Sequence, residues 1–433
     1  MLPPGPGSRT WNTWSYITDP VTALSRWRDR YGDTFTLRDW SATTVVTSDP
    51  ALVKAIFAVR DVGVFGAVAP ESFDVILGRR SLLLLSGPEH QAERKLLLGP
   101  LCRAALPAWL GAIADATRGA FTGLAKGQTF VALERMREVT LASISQILFG
   151  PDDPKEPALR RATLDMMVHV RPSFLVARAL QIEGFGRTRF GRFMAASRAF
   201  DRLLYARIAE GRARGEQDGS LLALLLAAYP EGQAGDEAIR DELRTLLVGG
   251  HETTSSVLAW ALYYLHRDPA LLARAQAEID AIAETEGLLR APLLDAIIDE
   301  VMRIRPPAGQ CFRMLVEPLD LGPLRVPAGV LVSPAISTIH HREDLWPEPS
   351  RFDPARFSNG SRPSPFVYLP FGGGSHRCIG ASLSKVESAI ILGTILREYR
   401  LGLDETREPA WRREGIALCP SPGVRMHVEG RRS

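Results

Sequence analysis

The sequence predicts a mainly α-helical protein with small β-sheets. Apolar residues recur at helical spacing over most of residues 105–305 and again over 380–400. Strand-like alternation appears in two short runs near the N-terminus, Thr34–Leu37 and Thr43–Thr47. Of 433 residues, 45% are hydrophobic and 23% are charged, which is typical of a globular protein with a large core. No linker, charge block or repeat divides the chain, so residues 1–433 are expected to form a single domain.

Charge, cysteine usage and apolar runs limit the class of protein. A net charge of +3 predicts no nucleic-acid partner. The chain shows no secretory signal, and its longest apolar run, Leu221 to Tyr229, is too short to span a bilayer. A cytoplasmic protein without a membrane anchor is therefore expected. Four scattered cysteines, without the spacing of a disulfide framework, fit the same reducing compartment: Cys102, Cys311, Cys378 and Cys419.

The clearest long helix is predicted over residues 236–266. Near its middle lie two glycines and two threonines, in the run Gly-Gly-His-Glu-Thr-Thr at residues 249–254. These residue types are unfavourable inside a helix. A helix that departs from its own propensity in this way indicates a functional constraint. Close packing of helices through small residues is the alternative interpretation.

A second polar pattern, Glu300-x-x-Arg303, lies directly before Arg305-Pro306-Pro307. Glu300 and Arg303 are three residues apart and share one face of a predicted helix, which the two prolines end. By itself this pattern fits a solvated ion pair better than a functional site.

The most informative stretch is residues 371–380, which read Phe-Gly-Gly-Gly-Ser-His-Arg-Cys-Ile-Gly ahead of a helix-forming run, Ala381 to Leu396. A cysteine near a helix N-terminus is favoured as the thiolate, because the helix dipole is positive there. Such a thiolate can be a nucleophile, a zinc ligand or an axial haem ligand. A zinc cluster lacks nearby partners in the sequence. His376 and Arg377 add donors that suit an anionic group. A tight loop with a structural cysteine is the alternative.

The decapeptide resembles the haem-binding signature of the cytochrome P450 family, Phe-x-x-Gly-x-(Arg/His)-x-Cys-x-Gly, and every fixed position is filled. The resemblance implies the P450 fold, a triangular prism of helices with small sheets. It also implies haem b as the cofactor, with Cys378 as its thiolate ligand. The segment Gly-x-x-His-x-x-x-Arg and the basic position after the proline pair extend the match. The implied cofactor-binding residues are His90, Arg94, Arg313, Phe371, Gly372, Gly374, His376, Cys378 and Gly380.

Two further segments resemble P450 motifs. Residues 249–253 are similar to the family's oxygen-binding groove, Ala-Gly-x-(Asp/Glu)-Thr, with Gly249 in place of alanine. By this resemblance, Gly250 leaves room for O2 beside the backbone, Thr253 hydrogen-bonds O2, and Glu252 relays protons from solvent. The second segment, around Arg356, resembles the Pro-x-Arg-Phe motif. It implies a buried ion-pair triad beneath the cysteine loop, formed by Glu300, Arg303 and Arg356.

The resemblance implies a monooxygenase that inserts one atom of O2 into a C–H bond of an apolar small molecule, here favoured to be of terpenoid or steroid size. The sequence has no Gly-x-Gly-x-x-Gly between a strand and a helix, which leaves no site for a flavin or nicotinamide. Electrons are therefore expected from a separate ferredoxin and its reductase, and the protein is expected to be a monomer. Residues 171–214 are expected to form a mobile lid. The implied pocket residues are Phe65, Phe73, Phe174, Phe185, Val248, Gly249, Ala308, Phe312 and Leu418.

Several other functions are alternatives to this interpretation. Hydroxylation of fatty acids or of macrolide-type polyketides is the alternative within the same family. A peroxide-driven peroxygenase normally lacks the Glu252-Thr253 pair. A haem-thiolate sensor or binding protein without turnover normally carries an output or DNA-binding module, and none is visible in the sequence. A helical interaction protein without a cofactor has no need of the Cys378 loop.

Overall fold

The computed structural model describes residues 1–60, 63–67, 73–150, 153–171, 173–174, 180–358 and 362–432, with the side chain of Phe185 left out. Helices dominate, as the sequence predicts. The α-helices are, in order, α1 (Arg9–Thr18), α2 (Pro20–Tyr31), α3 (Pro50–Ala58), α4 (Asp74–Leu77), α5 (Gly87–Leu101), α6 (Leu110–Phe121), α7 (Ala132–Phe149), α8 (Glu156–Val168), α9 (Arg189–Arg214), α10 (Leu221–Ala228), α11 (Gln233–Arg267), α12 (Pro269–Asp280), α13 (Pro292–Ile304), α14 (Ile336–Ile339), α15 (Ala355–Ser358) and α16 (Ala381–Glu398).

Short strands form four small sheets. One has the order β1-β2-β7-β4, in which only the β2–β7 pair is parallel. Another has the order β3-β11-β8, and the remaining two are the hairpins β5–β6 and β9–β10. The strands are β1 (Thr34–Arg38), β2 (Thr43–Thr47), β3 (Thr129–Val131), β4 (Arg313–Met314), β5 (Leu319–Leu321), β6 (Leu324–Val326), β7 (Leu331–Pro334), β8 (Tyr399–Leu403), β9 (Ala410–Glu414), β10 (Ala417–Ser421) and β11 (Arg425–Arg431).

Helix α11 runs through the largest hydrophobic cluster. Its 35 residues span about 52 Å at the usual rise of an α-helix. Most of its side chains from Leu243 to Leu265 are buried, and Trp260 is fully enclosed. A helix that is apolar nearly all round is stable only inside a core. Asp268 ends the helix and caps the next one, since its carboxylate accepts the backbone amides of Ala270 and Leu271, both at 3.0 Å.

The element boundaries agree closely with the predicted ones. The helix predicted over 236–266 is α11, and the helix predicted to start at Ala381 does so. Helix α13 ends at Ile304, just before the proline pair. Among the described residues, no single helix has the length and apolar character needed to cross a membrane. One bent pair, Gly87–Leu101 with Leu106–Phe121, meets that length and composition.

Candidate active site

The cysteine loop lies between the helix–sheet region around α3 and the start of α16. The Cys378 amide donates to the Phe371 carbonyl at 3.0 Å, which closes the loop. Gly374 has φ +68°, a left-handed conformation that favours glycine. Gly373 packs against Phe57 so closely that a Cβ there would lie 2.3 Å from the phenyl ring. The sequence of the loop is thus dictated by its tight path, which aims the cysteine into a cavity.

Protein surrounds the Cys378 thiol, yet the thiol remains accessible because it faces the cavity. Burial raises its pKa, which outweighs the lowering by the Gly380 amide and by Arg377 and Arg94. The sequence-based expectation that the helix dipole alone favours the thiolate is therefore too simple. Because burial favours the thiol, the thiolate form of Cys378 needs a further positive charge nearby to become the favoured form. A cation in the cavity would supply it.

Four basic side chains converge beside the cysteine. His90 and His376 stack with ring centroids 4.0 Å apart, and Arg313 donates to the Gly373 carbonyl at 2.8 Å. Burial and the arginine charges lower the histidine pKa values to about 4 for His90 and about 3 for His376. Burial also lowers the pKa of both Arg94 and Arg313, and no carboxylate offsets this shift. A buried basic cluster without an acidic partner in the described residues fits an anionic ligand.

The middle of α11 opens onto the same cavity. The Thr253 hydroxyl donates to the Gly249 carbonyl at 3.1 Å, a hydrogen bond within the helix. A Cβ on Gly249 would meet nothing within 4 Å, whereas one on Gly250 would lie 3.0 Å from Ile144 of α7. Gly250 therefore lines the cavity and also allows close packing of α7 against α11. The packing interpretation of Gly250 is therefore a contact with Ile144, and its role toward O2 stays a prediction.

Glu252 lies on another side of α11 and does not line the cavity. Its carboxylate accepts the Ile416 amide at 3.0 Å, beneath the turn between β9 and β10. Gly415 in this turn has φ +60°, and a Cβ there would lie 2.6 Å from the carboxylate. Burial raises the Glu252 pKa, while the Ile416 amide and Arg137 lower it. The structure thus separates Glu252 from Thr253, although the two are adjacent in sequence.

The predicted ion-pair triad is brought together. Glu300 and Arg303 are fully buried and share two hydrogen bonds of 2.7 and 2.8 Å. Arg356 lies 3.5 Å from Glu300. Arg303 also donates to the His340 carbonyl, and the His340 ring accepts the Leu369 amide at 3.0 Å. The triad therefore connects α13 to the chain just ahead of the cysteine loop.

A cavity of about 490 Å³ is lined by Cys378, by the basic cluster beside it and by the 249–254 stretch of α11, but not by Glu252 or the triad. Of the predicted pocket residues, Phe73, Val248, Gly249, Ala308 and Phe312 line it.

Three predicted pocket residues do not line this cavity. Phe65 is buried in a separate cluster and pairs with Leu315, and Phe174 packs against other aromatic rings. Leu418 is buried in β10, where its amide bonds the Pro307 carbonyl. Each occupies a position within a packed core, where an apolar side chain needs no ligand. Phe185 lies outside the described side chains.

Sequence reasoning missed three acidic residues that line the cavity, Asp39, Glu242 and Glu387. Glu242 lies on α11 and Glu387 on α16, and both are buried. Burial raises the Glu387 pKa to about 8, even though the Ser143 and Thr254 hydroxyls lower it. Helical spacing places Glu242 on the face of α11 that carries Gly249 and Thr253, so periodicity contained the signal.

Comparison with known proteins identifies the family. A family model described as "Cytochrome P450" matches residues 2–427. The cytochrome P450 135B1 of Mycobacterium tuberculosis is 34% identical over 437 residues, covering 100% of this chain and 92% of that protein. Cytochrome P450 137 of the same organism is 33% identical over 419 residues, covering 95% of this chain and 86% of that protein.

Solved structures agree at the level of the fold. A cyanobacterial CYP120A1 bound to retinoic acid superposes with a TM-score of 0.87 at 24% identity, covering 100% of both chains. The haem domain of cytochrome P450DA gives a TM-score of 0.84 at 24% identity, covering 100% of this chain and 98% of that one. The chain therefore belongs to the cytochrome P450 family, whose members are monooxygenases that use haem b with a cysteine thiolate ligand and O2.

Proposed function

We propose that this protein inserts one atom of O2 into a C–H bond of an apolar molecule of terpenoid or steroid size, as a monomer that takes electrons from a ferredoxin and its reductase. The observation that carries the proposal is the shared cavity. The Cys378 thiol, a basic cluster without acidic partners and the Thr253 groove of α11 all open into it.

The residues present fit haem. Cys378 would be the thiolate ligand of the haem iron, whose positive charge would stabilise the thiolate form. Arg94 and Arg313, with His90 and His376, would hold the two propionates. Among the described residues, the buried His376 Nε2 has no hydrogen-bond partner, which suits it to donate to a propionate oxygen. Bound haem with a thiolate ligand activates O2 and favours cleavage of the O–O bond.

Two residues of α11, Thr253 and Glu252, would deliver protons to O2. Thr253 Oγ1 would exchange its bond to the Gly249 carbonyl for one to O2, a change that needs only rotation about χ1. Glu252 would serve as the proton reservoir, with its carboxylate held by the Ile416 amide until it turns. The partly exposed Arg137 and Glu414 pair at 3.5 Å beside it, which supports a route from solvent to Glu252. Such proton transfers contribute roughly 10²–10⁴-fold to rate.

The cavity supports an apolar substrate. Its volume lies within the usual range of ligand pockets, roughly 300–1,000 Å³, and part of it would hold haem. Phe73, Val248 and Phe312 give apolar walls on three sides. Fatty acids and macrolide-type polyketides are the alternative substrates. For electron transfer, the exposed Arg377 next to Cys378 supports docking of an acidic ferredoxin on this face.

Spectroscopy with isotope labelling tests the proposal. The reduced protein with CO is expected to show the Soret band of a thiolate-ligated haem. Cys378→Ser should lose that band, and Cys102→Ser, a cysteine at the end of α5, should keep it. Persistence of the band in Cys378→Ser, or zinc in place of haem, would show that the ligand assignment is wrong.

Turnover is then measured with a panel of terpenoids, steroids, fatty acids and macrolides. Substrates are first selected by a shift of the Soret band. With ferredoxin, reductase and ¹⁸O2, the product should carry one labelled oxygen atom. Omission of ferredoxin should abolish product. A product without the label, or equal turnover with peroxide alone, would reject the proposed reaction.

A further inference from the structure

Glu242 presents a buried carboxyl to the cavity, whose lining is mostly but not wholly apolar. Its side chain is 0% exposed, it lines the cavity, and neither carboxylate oxygen has a hydrogen-bond partner among the described residues. The Leu82 amide lies near enough to lower its pKa, but burial and the charge of Glu93 raise it well above the ordinary value. A buried carboxyl without a donor is costly unless a ligand completes it.

A second buried carboxyl, that of Glu93, interacts electrostatically with Glu242. Glu93 of α5 is 6% exposed, accepts one hydrogen bond from the Tyr229 hydroxyl, and leaves its other oxygen unpaired. Glu93 and Glu242 are close enough for each to matter electrostatically, since Glu93 is the second cause of the Glu242 pKa shift. Among the described residues, these three carboxyl oxygens accept no hydrogen bond of good geometry, and only the Leu82 amide approaches Glu242 as a donor. No arginine, lysine or histidine of the described chain forms an ion pair with Glu242, so its raised pKa favours the neutral carboxyl until a cation binds.

The chemistry of the missing partner follows from this count. A hydroxyl supplies one donor and no charge, while a protonated amine supplies both donors and a positive charge. An amine also favours ionisation of a buried carboxyl, because an opposite charge stabilises the charged form.

We propose that Glu242 binds a protonated amine at one end of the substrate. This specificity-determining role rests on the proposed function, because the substrate must reach the haem from that anchor.

The position of Glu242 also indicates the shape of the substrate. Glu242 and Thr253 are eleven residues apart on α11, which is about three turns and roughly 16 Å along the helix axis. Both lie on the face that lines the cavity, with Thr245, Leu246 and Gly249 between them. The substrate is therefore an elongated apolar molecule with its amine at the end opposite to the carbon that is oxidised.

Binding to the holoprotein tests this assignment with three probes of equal chain length. N,N-dimethyldodecylamine is cationic at neutral pH, dodecan-1-ol is neutral and dodecanoate is anionic. Calorimetry and the Soret shift should show that the amine binds at least about tenfold more tightly than the alcohol, the range expected of a charged hydrogen bond. Dodecanoate should bind most weakly. Equal affinities, or a preference for the alcohol or the carboxylate, would overturn the proposal without any variant.

Variants then locate the preference. Glu242→Gln keeps the size of the side chain and should remove the tenfold preference for the amine, while the affinity for the alcohol changes less than about twofold. Glu237→Gln, the same substitution earlier on α11 where the carboxylate bonds Gln233, should keep the preference. An equal loss in both variants would indicate general electrostatics and contradict the assignment. The CO spectrum separates the two hypotheses: an intact thiolate band with no amine preference rejects only this inference.

Discussion

The Glu300 carboxylate and the Arg303 guanidinium meet in a two-point hydrogen bond with neither side chain exposed to solvent. Arg303 also donates hydrogen bonds to the carbonyls of His340, Pro349 and Arg351. Glu300 also accepts the Asp353 amide at 2.9 Å. One pair of side chains on α13 thereby fixes several segments of irregular chain below the cysteine loop.

Truncation of either partner should destabilise the fold strongly. Arg303→Ala removes the two-point partner of the buried Glu300 and leaves Arg356, at 3.5 Å, as its remaining charged partner in the triad. Loss of one partner of a buried pair costs about 3–5 kcal/mol. Arg303→Lys should rescue little, because an ammonium cannot reproduce the two-point contact. Urea unfolding and haem retention measure the effect.

An exposed ion pair with the same three-residue spacing provides the control. Glu348 and Arg351 are also three residues apart and pair at 3.0 Å, but both side chains are more than half exposed. Arg351→Ala should change the unfolding free energy by no more than about 1 kcal/mol. Similar losses at Arg303 and Arg351 would contradict the special role of the buried pair.

Thr253→Ala should uncouple electron consumption from product formation. The variant should still bind haem and substrate, because its hydroxyl bonds only the Gly249 carbonyl in the protein alone. Without the hydroxyl, protons no longer reach O2 in order, and reducing equivalents should leave largely as peroxide. The measurement is the ratio of product to NAD(P)H consumed, together with a peroxide assay.

Thr254→Ala is the matched control. Thr254 also lines the cavity, but its hydroxyl lies 3.2 Å from the Ser384 hydroxyl of α16. This variant should remain mostly coupled. Unchanged coupling in Thr253→Ala would reject the proton-delivery role, and equal uncoupling in both variants would assign that role to the pair.

The cysteine loop and the long helix could be predicted because local rules determine them. The loop needs glycine where φ is positive or where Phe57 approaches, and the course of α11 follows from its apolar periodicity. The pocket was harder to predict. Phe65 and Phe174 are aromatic residues of the kind that line apolar pockets. An aromatic residue packed in a core cannot be distinguished from these by sequence alone.

Side-chain direction explains the remaining differences. Glu252 and Thr253 are neighbours in sequence, yet successive residues of a helix point about 100° apart. The sequence therefore could not place Glu252 under the β9–β10 turn, a contact across more than 160 residues. Glu242 was overlooked because a carboxyl in an apolar helix usually faces solvent.

Protein stability should fall as the pH drops below about 6.5, partly through His340. Burial, with the charges of His341 and Arg303, lowers the His340 pKa from 6.5 to about 3. The unfolded chain therefore binds one more proton than the folded chain between those pH values. The stability contributed is fully present above pH 6.5 and is lost progressively as the pH falls toward 3. The slope is up to about 1.4 kcal/mol per pH unit.

The hydrogen bonds of His340 give a structural reason for its lowered pKa. His340 Nε2 accepts the Leu369 amide, so a proton on this nitrogen would break the bond. His340→Gln should reduce the pH dependence of the unfolding free energy between pH 7.5 and 5. An unchanged slope in His340→Gln would show that other groups dominate acid sensitivity.

Residues 171–214 are predicted to act as a mobile lid over the cavity. Phe174 packs with Phe190 and Phe193, at centroid distances of 5.4 Å in each case, so the aromatic residues of this stretch pack against one another. Gly186 has φ +78°, which supports a hinge before α9. Gly191 is different, because a Cβ there would lie 2.0 Å from the Glu183 carbonyl, so it permits packing rather than motion.

Exchange measurements decide between a lid and a fixed helix pair. If α9 moves as a unit on the cluster that includes Phe174, backbone amides over 180–214 should exchange faster than those of the core helix α7, and substrate should slow them. Phe174→Ala should loosen the cluster and change substrate affinity or product regiochemistry. The thiolate CO band should stay intact, because the cluster does not touch Cys378. Slow exchange over 180–214 that substrate leaves unaltered would mean that α9 is an ordinary packed helix, and substrate entry would then have to use another route.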